Sequence, residues 1–329
     1  MFATSAIIDD CILASMLAEY PKCGSWVKVR GENEIAYEKA PIIFDEFYGW
    51  TTGRCEGSWK HPGFQYKWQP HSTRYYMYSR KDICTIIRGR HILIVGDSLS
   101  AQSFFSFLAT MSSFSPFGSS GPLLGNAPGI TTIYCPTGSP NFNITFMRND
   151  LISINTVYMS APKLKLRPWL EVANSLPSNS IFLFNRGLHY REDKEFLYGL
   201  NETFHFLSEL RKTRNHIVIY RSTSPVHPDW ETMFNNPPLK VMPTDAPIYT
   251  VEQSETWGWD KIANQTELAR GMIAQYYPWI IYMDVMYSTS LRHDGHVDGV
   301  HYCLPGPVDH WIAKIVATIY IIDKKACVQ

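Results

Sequence analysis

The sequence lacks a charge excess of either sign. Lysine plus arginine and aspartate plus glutamate number 30 each, so the formal net charge is zero with histidine neutral. Without a field of one sign, neither nucleic acid nor an anionic membrane surface is indicated as a partner. No apolar run approaches the roughly 20 residues that cross a bilayer, and the best candidate, 312–322, is short and contains Lys314. We therefore expect no membrane span in this chain.

A recognisable signal peptide is also missing, because Asp9 and Asp10 lie where its apolar segment would have to be. The chain is then either cytosolic or without its targeting segment. Seven cysteines and three N-x-S/T sequons, at Asn143, Asn201 and Asn264, favour the second alternative and an oxidising lumen. The cysteines never form C-x-x-C, so they show no metal-ligand spacing.

What is present is the composition of a folded protein. The 329 residues are 45% hydrophobic and 18% charged, which is enough apolar material for a large buried core. Aromatic residues make up 14%, and most of them are expected in packing. A minority could form a platform for a sugar ring, because an aromatic face is flat and apolar with a polar edge.

The chain changes character near residue 86. Residues 1–20 are interpreted as an N-terminal extension, and 21–85 as an irregular segment rich in aromatics, Gly and Pro. From 86 to 329, short apolar runs alternate with helical patterns, which predicts an α/β core with helices on both faces of a sheet. The strands are predicted at 91–95, 180–184, 216–220 and 279–283, with one or two more within 143–158, and the helices at 100–111, 193–213 and 307–322.

A candidate nucleophile follows the first of these strands. The apolar run 91–95 leads directly into Gly96-Asp97-Ser98 and then into a helical pattern. Ser98 is therefore expected at the carboxyl end of a buried strand and at a helix N-terminus, where unpaired N–H groups stabilise an oxyanion. Gly96 permits the tight turn, and Asp97 ties the loop by accepting backbone hydrogen bonds. The alternative is a simple helix cap without chemistry.

A candidate base and its partner precede the last helix. A serine hydroxyl needs an adjacent base, and Asp298-x-x-His301 presents an acid and an imidazole from one turn. A metal-dependent hydrolase is the competing interpretation, because a cluster of histidine and aspartate side chains could bind a metal ion. That cluster consists of His293, Asp294, His296, Asp298 and His301.

Taken together, the two ends of the chain resemble the trichome birefringence-like and PC-esterase proteins of the SGNH/GDSL hydrolase-like group. The resemblance covers about residues 21–323 and is most specific in the C-terminal motif. The matching segments are Cys23–Val27, Arg88–Arg90, Gly96–Ser100 with Gln102, Phe184–His189, Arg221–His227, Arg292–His296 and Asp298–Pro307 with Trp311. Gly299 stands where plant members usually carry Cys, so the plant disulfide pattern is not carried over.

The resemblance implies an SGNH-like three-layer α/β/α sandwich with a mainly parallel sheet. It makes Ser98 the nucleophile, His301 the base and Asp298 its orienting partner. It also implies an oxyanion hole formed by the Ser98 N–H and the Asn185 side chain. Further residues of the motifs are expected to bind substrate or support the site, and these are Asp97, Gln102, Arg292, Asp294 and His296.

The activity implied is O-acetyl transfer to, or ester hydrolysis from, the hydroxyls of a glycan or polysaccharide through an acyl-serine. No bound cofactor or metal is expected, and an acetyl donor such as acetyl-CoA would be a co-substrate. Plant members of the family act in the Golgi, which implies the secretory pathway, in the Golgi lumen or outside the cell. A glycan-binding protein without activity is a further alternative.

Overall fold

The computed structural model describes residues 24–29, 65–70, 78–111, 129–154, 166, 168–233, 236–241 and 247–326. Its strands are β1 (Gly24–Lys28), β2 (Tyr66–Pro70), β3 (Ile92–Gly96), β4 (Gly129–Ile133), β5 (Phe142–Arg148), β6 (Ile181–Phe184), β7 (Ile217–Arg221) and β8 (Ile281–Met283). Its α-helices are α1 (Arg80–Ile87), α2 (Ser98–Thr110), α3 (Leu170–Ser175), α4 (Asp193–Thr213), α5 (Trp230–Met233), α6 (Val251–Glu255), α7 (Ile262–Tyr276), α8 (Met286–Ser290) and α9 (Pro307–Ala326).

Six strands form the central sheet, in the order β4-β5-β3-β6-β7-β8. The pairs β5–β3, β3–β6, β6–β7 and β7–β8 are parallel, and β4 runs antiparallel to β5 at the edge. Parallel neighbours require crossover connections, and the helices between these strands provide them. The predicted α/β sandwich with a mainly parallel sheet is confirmed.

The strand β3 shows how the three layers arise. All five of its residues are buried, and successive side chains point to opposite faces. Ile92 and Ile94 join the apolar cluster formed with α1, α2 and α9. Leu93 and Val95 join the cluster formed with α3, α4 and α7 on the other face. A strand without polar side chains on either face is buried on both, which is typical of a sheet covered by helices.

Most predicted elements lie within two residues of their expected positions. The helix predicted at 193–213 is α4, and the last helix begins at Pro307 but continues beyond 322 to Ala326. The helix α7 was missed because Gln265 and Thr266 lie on its buried face and interrupt the apolar pattern. Across the described helices, none combines the length and apolar character that a bilayer crossing requires.

The irregular segment predicted at 21–85 contains regular structure, so that part of the prediction is corrected. The strands β1 and β2 pair in antiparallel register with Trp26 opposite Trp68, and the two rings meet edge to face at 5.4 Å. The Trp26 indole N–H also donates to the Ser288 carbonyl at 2.7 Å, which attaches this small sheet to the core. Two five-residue strands far apart in the sequence give no local signal of pairing.

The helix α1 crosses the predicted division between residues 85 and 86. It begins after a capping box in which Ser79 and Asp82 exchange hydrogen bonds, a pattern that ends the irregular segment earlier than expected. The predicted extension 1–20 lies outside the described residues. The division into an extension and one domain stays a prediction.

A disulfide joins Cys84 in α1 to Cys135, which follows β4, and closes a segment of 51 residues. Cys303 is disulfide-bonded as well. Structural disulfides form and persist in oxidising compartments. The bond at Cys84 therefore agrees with the lumenal alternative and attaches the edge strand β4 to the helical layer.

Removing this bond is expected to lower the stability of the fold. Replacing Cys84 and Cys135 together by Ala should reduce the free energy of unfolding by about 2–5 kcal/mol, because the unfolded chain regains the freedom of the closed loop. Denaturant unfolding without reductant measures the change. A double variant as stable as the unmodified chain would show that the bond contributes nothing.

Candidate active site

The turn that carries Ser98 is built by Gly96 and Asp97. The strand β3 ends at Gly96, and α2 begins at Ser98, so the serine lies at the carboxyl edge of the sheet. A Cβ on Gly96 would lie 2.2 Å from the Ser100 Oγ, so only glycine fits. Asp97 caps the helix, and its Oδ1 accepts from the N–H groups of Leu99 at 2.9 Å and Ser100 at 3.2 Å.

The side chains of Ser98, His301 and Asp298 form a continuous hydrogen-bonded relay. His301 Nε2 lies 2.8 Å from Ser98 Oγ, and His301 Nδ1 lies 2.8 Å from Asp298 Oδ2. Ser98 and His301 are 203 positions apart in the sequence, so only the fold brings them together. The predicted contacts are present, in the order that nucleophilic catalysis by serine requires.

Asp298 holds the turn as well as the imidazole. Its Oδ1 accepts from the N–H groups of Val300 at 2.8 Å and His301 at 2.7 Å, which leaves Oδ2 for the ring. Burial acts to raise the pKa of Asp298, but the hydrogen bond and charge of His301 outweigh it and lower this pKa. The carboxylate therefore stays ionised near neutral pH and holds the proton on His301 Nδ1.

Gln102 connects the helix of the serine to the segment of the histidine. Its Nε2 donates to the Tyr302 carbonyl at 2.7 Å, and its Oε1 accepts from the Tyr302 N–H at 3.1 Å. Both partners are buried. Gln102 supports the site in this way, because it holds the residue after His301 against α2.

Replacing Gln102 by Leu should weaken both the fold and the alignment of His301. Two buried backbone groups of Tyr302 would lose their partners, at a cost of about 2–4 kcal/mol in the free energy of unfolding. A small displacement of His301 should also lower kcat for an ester about 10- to 100-fold. Denaturant unfolding and ester turnover measure the two effects.

The matched control for Gln102 is Glu. Its carboxylate can accept from the Tyr302 N–H but cannot donate to the carbonyl. The ionised carboxylate would also be buried against the carbonyl oxygen, so at neutral pH Gln102→Glu should be no more stable than Gln102→Leu. A Leu variant with unchanged turnover and stability would contradict the supporting role.

Arg292 and Asp294 form a buried ion pair away from the relay. The guanidinium Nε and Nη2 donate to the two carboxylate oxygens at 2.8 and 3.1 Å, and both residues are almost completely buried. Burial raises the pKa of Asp294 in spite of this pairing. The guanidinium also stacks on the Trp26 ring at 4.3 Å, so this pair connects the β1–β2 sheet to the loop before the relay.

His296 lies behind the relay and not within it. Its Nδ1 is 3.0 Å from the His301 carbonyl oxygen, and its Nε2 is 2.5 Å from Nδ1 of His227. Of the predicted supporting residues, Asp97 and Gln102 contact the helix that carries Ser98 or hold it in place. Arg292, Asp294 and His296 lie in the segment that precedes Asp298 and His301. In the contacts observed here, all five bond to protein groups.

The side chains of the alternative metal site are engaged with protein groups. The five candidates are His293, Asp294, His296, Asp298 and His301. Asp294 pairs with Arg292, and His296 contacts His227. His293 Nδ1 lies 3.2 Å from Asp229 Oδ1. In the described part of the chain, no group of three or more His, Cys, Asp or Glu side chains is arranged to hold a metal ion. The clustering in sequence does not become a ligand set in space.

The Asn185 amide is engaged away from the nucleophile. Its Nδ2 donates to the Arg221 carbonyl at 3.1 Å and to the Thr223 hydroxyl at 3.3 Å, which uses both amide hydrogens. Its Oδ1 is buried and has no partner. In this conformation the amide offers no hydrogen to an oxyanion, so the predicted role of Asn185 does not follow from the geometry. The backbone N–H of Ser98 lies at the first position of α2, and the first N–H groups of an α-helix have no carbonyl partner within the helix.

Further polar residues lie at the same edge of the sheet, and sequence reasoning assigned none of them a role. Arg148, the last residue of β5, forms a buried ion pair with Asp150, and β5 neighbours β3. His189, after β6, has a left-handed backbone with φ 77°, and neither ring nitrogen has a partner. The available signal was polar residues directly after an apolar strand, as at Ser98. Strained backbone and unpaired buried groups of this kind cluster at ligand sites.

Comparison with known proteins gives a distant similarity. No protein-family model matches the chain. The chain is 20% identical to the Arabidopsis thaliana protein named trichome birefringence-like 35 over 362 aligned positions. These positions cover 89% of this chain and 75% of that protein. The family resemblance carried by the motifs is supported in this coarse form, as a similarity over most of the chain.

Proposed function

We propose that this protein is a carbohydrate O-acetyltransferase or O-acetylesterase that acts through an acyl-serine on Ser98. The observation that carries the proposal is the relay Asp298–His301–Ser98, with both ring contacts at 2.8 Å. It lies at the carboxyl edge of a parallel sheet, where open α/β folds bind ligands. The distant similarity to a trichome birefringence-like protein supports the same class of enzyme.

In the first half-reaction, His301 Nε2 accepts the proton of the Ser98 hydroxyl while Oγ attacks the carbonyl carbon of an acetyl ester or thioester. The negative charge moves to the carbonyl oxygen, where the Ser98 N–H donates a hydrogen bond. As the tetrahedral intermediate collapses, the bond to the leaving group breaks and His301 returns the proton to it. Asp298 stabilises the imidazolium that forms between these steps.

In the second half-reaction, His301 removes a proton from an incoming sugar hydroxyl or water, whose oxygen attacks the carbonyl carbon of the acetyl-serine. As this intermediate collapses, the bond from that carbon to Ser98 Oγ breaks, and His301 returns the proton to Oγ. Capture by a sugar hydroxyl transfers the acetyl group, whereas capture by water hydrolyses it. Both outcomes use the same residues and regenerate Ser98. The partition between them depends on how well an acceptor excludes water from the site.

The substrates follow from this chemistry and from the similarity. We propose a glycan or polysaccharide as acceptor and an acetyl donor such as acetyl-CoA as co-substrate, with no bound cofactor. The Cys84–Cys135 disulfide supports a place in the secretory pathway, in the Golgi lumen or outside the cell. The sequon residues Asn143, Asn201 and Asn264 are all exposed, in agreement with that route.

A chromogenic acetyl ester tests the proposal directly. The purified chain is incubated with the ester, with and without a glycan acceptor, and intact mass spectrometry follows the protein. We expect a burst of product, an acetyl adduct on Ser98, and faster decay of the adduct when the acceptor is present. If no acceptor changes the decay rate of the acetyl adduct, the protein is an esterase.

A parallel incubation with chelator decides between the serine and metal mechanisms. We expect unchanged turnover, because the relay accounts for the chemistry without a metal. Loss of turnover that zinc restores would favour the metal-dependent alternative. No adduct and no turnover, combined with measurable glycan affinity, would favour the glycan-binding alternative.

A further inference from the structure

Two histidines that the proposed reaction does not use lie directly behind the catalytic turn. His227 lies in the loop after β7, and His296 lies two residues before Asp298. Both are buried, with 4% and 0% of their surface exposed. His227 Nδ1 is 2.5 Å from His296 Nε2, so the two rings share a hydrogen bond.

Each end of this pair meets a backbone carbonyl. His296 Nδ1 is 3.0 Å from the His301 oxygen, and His227 Nε2 is 3.3 Å from the Ser290 oxygen. The His227 N–H also donates to the Gly299 carbonyl at 2.9 Å. The pair therefore connects the loop after β7 to the turn that presents the proposed base.

The number of protons on this pair is limited. The ring nitrogens of His227 and His296 make three contacts: one with each other, one with the His301 carbonyl and one with the Ser290 carbonyl. Carbonyl oxygens only accept, so these three contacts need three ring N–H hydrogens. A neutral imidazole has one N–H and one bare nitrogen, so two neutral rings supply only two hydrogens. Burial lowers the pKa of His296 to about 3 and that of His227 well below its usual value, which favours the neutral forms. One contact must therefore lack a hydrogen.

The distances decide which contact lacks it. Two bare nitrogens cannot face each other at 2.5 Å, so the contact between the rings carries a hydrogen. Of the two carbonyl contacts, the longer one, at 3.3 Å to Ser290, has the weaker repulsion between lone pairs. His227 Nδ1–H then donates to His296 Nε2, and His296 Nδ1–H donates to the His301 carbonyl.

We infer that His227 and His296 are positioning residues, both in the Nδ1–H tautomer, that hold the backbone of His301 so that its ring faces Ser98. The inference rests on the proposed acyl-serine function. Asp298 orients the His301 ring, whereas His296 holds the His301 carbonyl together with the Val297 N–H, which donates to the same oxygen at 3.0 Å. The base is therefore held at both ends. This role accounts for His227 and His296, the last residues of the motif segments Arg221–His227 and Arg292–His296, which the reaction itself leaves unused.

Asparagine and glutamine separate the two contacts of His296. The amide nitrogen of Asn can take the place of Nδ1, and the amide of Gln can take the place of Nε2. His296→Gln keeps a neighbour for His227 but loses the donor to the His301 carbonyl. We expect it to lower kcat about 10- to 100-fold without changing KM for the ester. His296→Asn keeps that donor and should recover most of kcat.

His205→Gln, an exposed histidine on α4, is the matched control and should change neither constant. Equal losses in the Asn and Gln variants of His296, or no loss in either, would overturn the inference. If the Gln variant fails to fold, kcat of the Asn variant and the histidine tautomers of the unmodified chain still test the inference.

Nitrogen-15 NMR of the histidine-labelled, unmodified chain reads the tautomers without any activity. His227 and His296, assigned with the variants His227→Asn and His296→Asn, should both show a hydrogen on Nδ1. The Nε2–H tautomer in either residue would overturn the inference. Failure of the proposed function gives a different result: no acetyl adduct forms on the unmodified chain, and the positioning role falls with it whatever the tautomers are.

Discussion

Replacing Ser98 by Ala should abolish the acetyl adduct and lower ester turnover by about 10⁴- to 10⁶-fold. The hydroxyl is the only group in the relay that can form the covalent intermediate, and its contact with His301 Nε2 at 2.8 Å is the activating hydrogen bond. Intact mass spectrometry and steady-state turnover measure the loss. Folding should be unaffected, because Ser98 lies at the first position of α2 and Asp97 remains as the cap.

The matched control for this variant is Ser103→Ala in the same helix. The Ser103 hydroxyl donates to the Leu99 carbonyl at 3.1 Å within the helix, so its removal should leave turnover nearly unchanged. The variant Ser98→Ala/His301→Ala should be no slower than Ser98→Ala alone, because residues that act as one unit are not additive. An adduct that persists in Ser98→Ala would refute the acyl-serine mechanism.

Replacing Asp298 by Asn should lower kcat on the order of 10²- to 10⁴-fold, which is less than the loss at Ser98. Asn can keep the hydrogen bonds from the Val300 and His301 N–H groups, so the turn should remain. Its amide would then donate to His301 Nδ1 and drive the proton onto Nε2, the nitrogen that must accept from Ser98. The loss therefore comes from the tautomer and not from the fold.

Two measurements separate these effects for Asp298→Asn. Denaturant unfolding should give nearly the stability of the unmodified chain, and nitrogen-15 NMR should show the His301 proton moved from Nδ1 to Nε2. Because the pKa of Asp298 is lowered, the unmodified carboxylate is ionised at neutral pH. Asn has no titratable group, so acidification should restore no activity to the Asn variant. Unchanged turnover in Asp298→Asn would show that His301 is oriented by another group.

The elements with strong local patterns were predictable from the sequence. The run 91–95 and the helix at 193–213 lie within a residue of their expected positions, because a fully apolar strand and a long apolar helix face, interrupted only by Thr203, determine them. The helix α7 was hidden by Gln265 and Thr266, which are buried against other parts of the fold. The pairing of β1 with β2 was hidden because each strand is short and its partner is distant in the sequence.

The candidate site divides in the same way. The strand-turn-helix pattern around Ser98 and the spacing Asp298-x-x-His301 indicated the relay from the sequence alone. The sequence did not reveal that the Asn185 amide donates to Arg221 and Thr223, since Arg221 ends the neighbouring strand β7 and Thr223 follows it.

The sequence by itself determined the neutral, folded character of the chain, its α/β pattern, and the residue types that nucleophilic catalysis needs. These depend on composition and on neighbours within a few positions. The tertiary structure alone decided where the five clustered His and Asp side chains point, because side chains at neighbouring positions of a loop can turn in many directions. The two contacts across about two hundred positions, His301 to Ser98 and Gln102 to Tyr302, fix the direction of the turn. They form only when α2 and the segment before α9 pack together at one edge of the sheet.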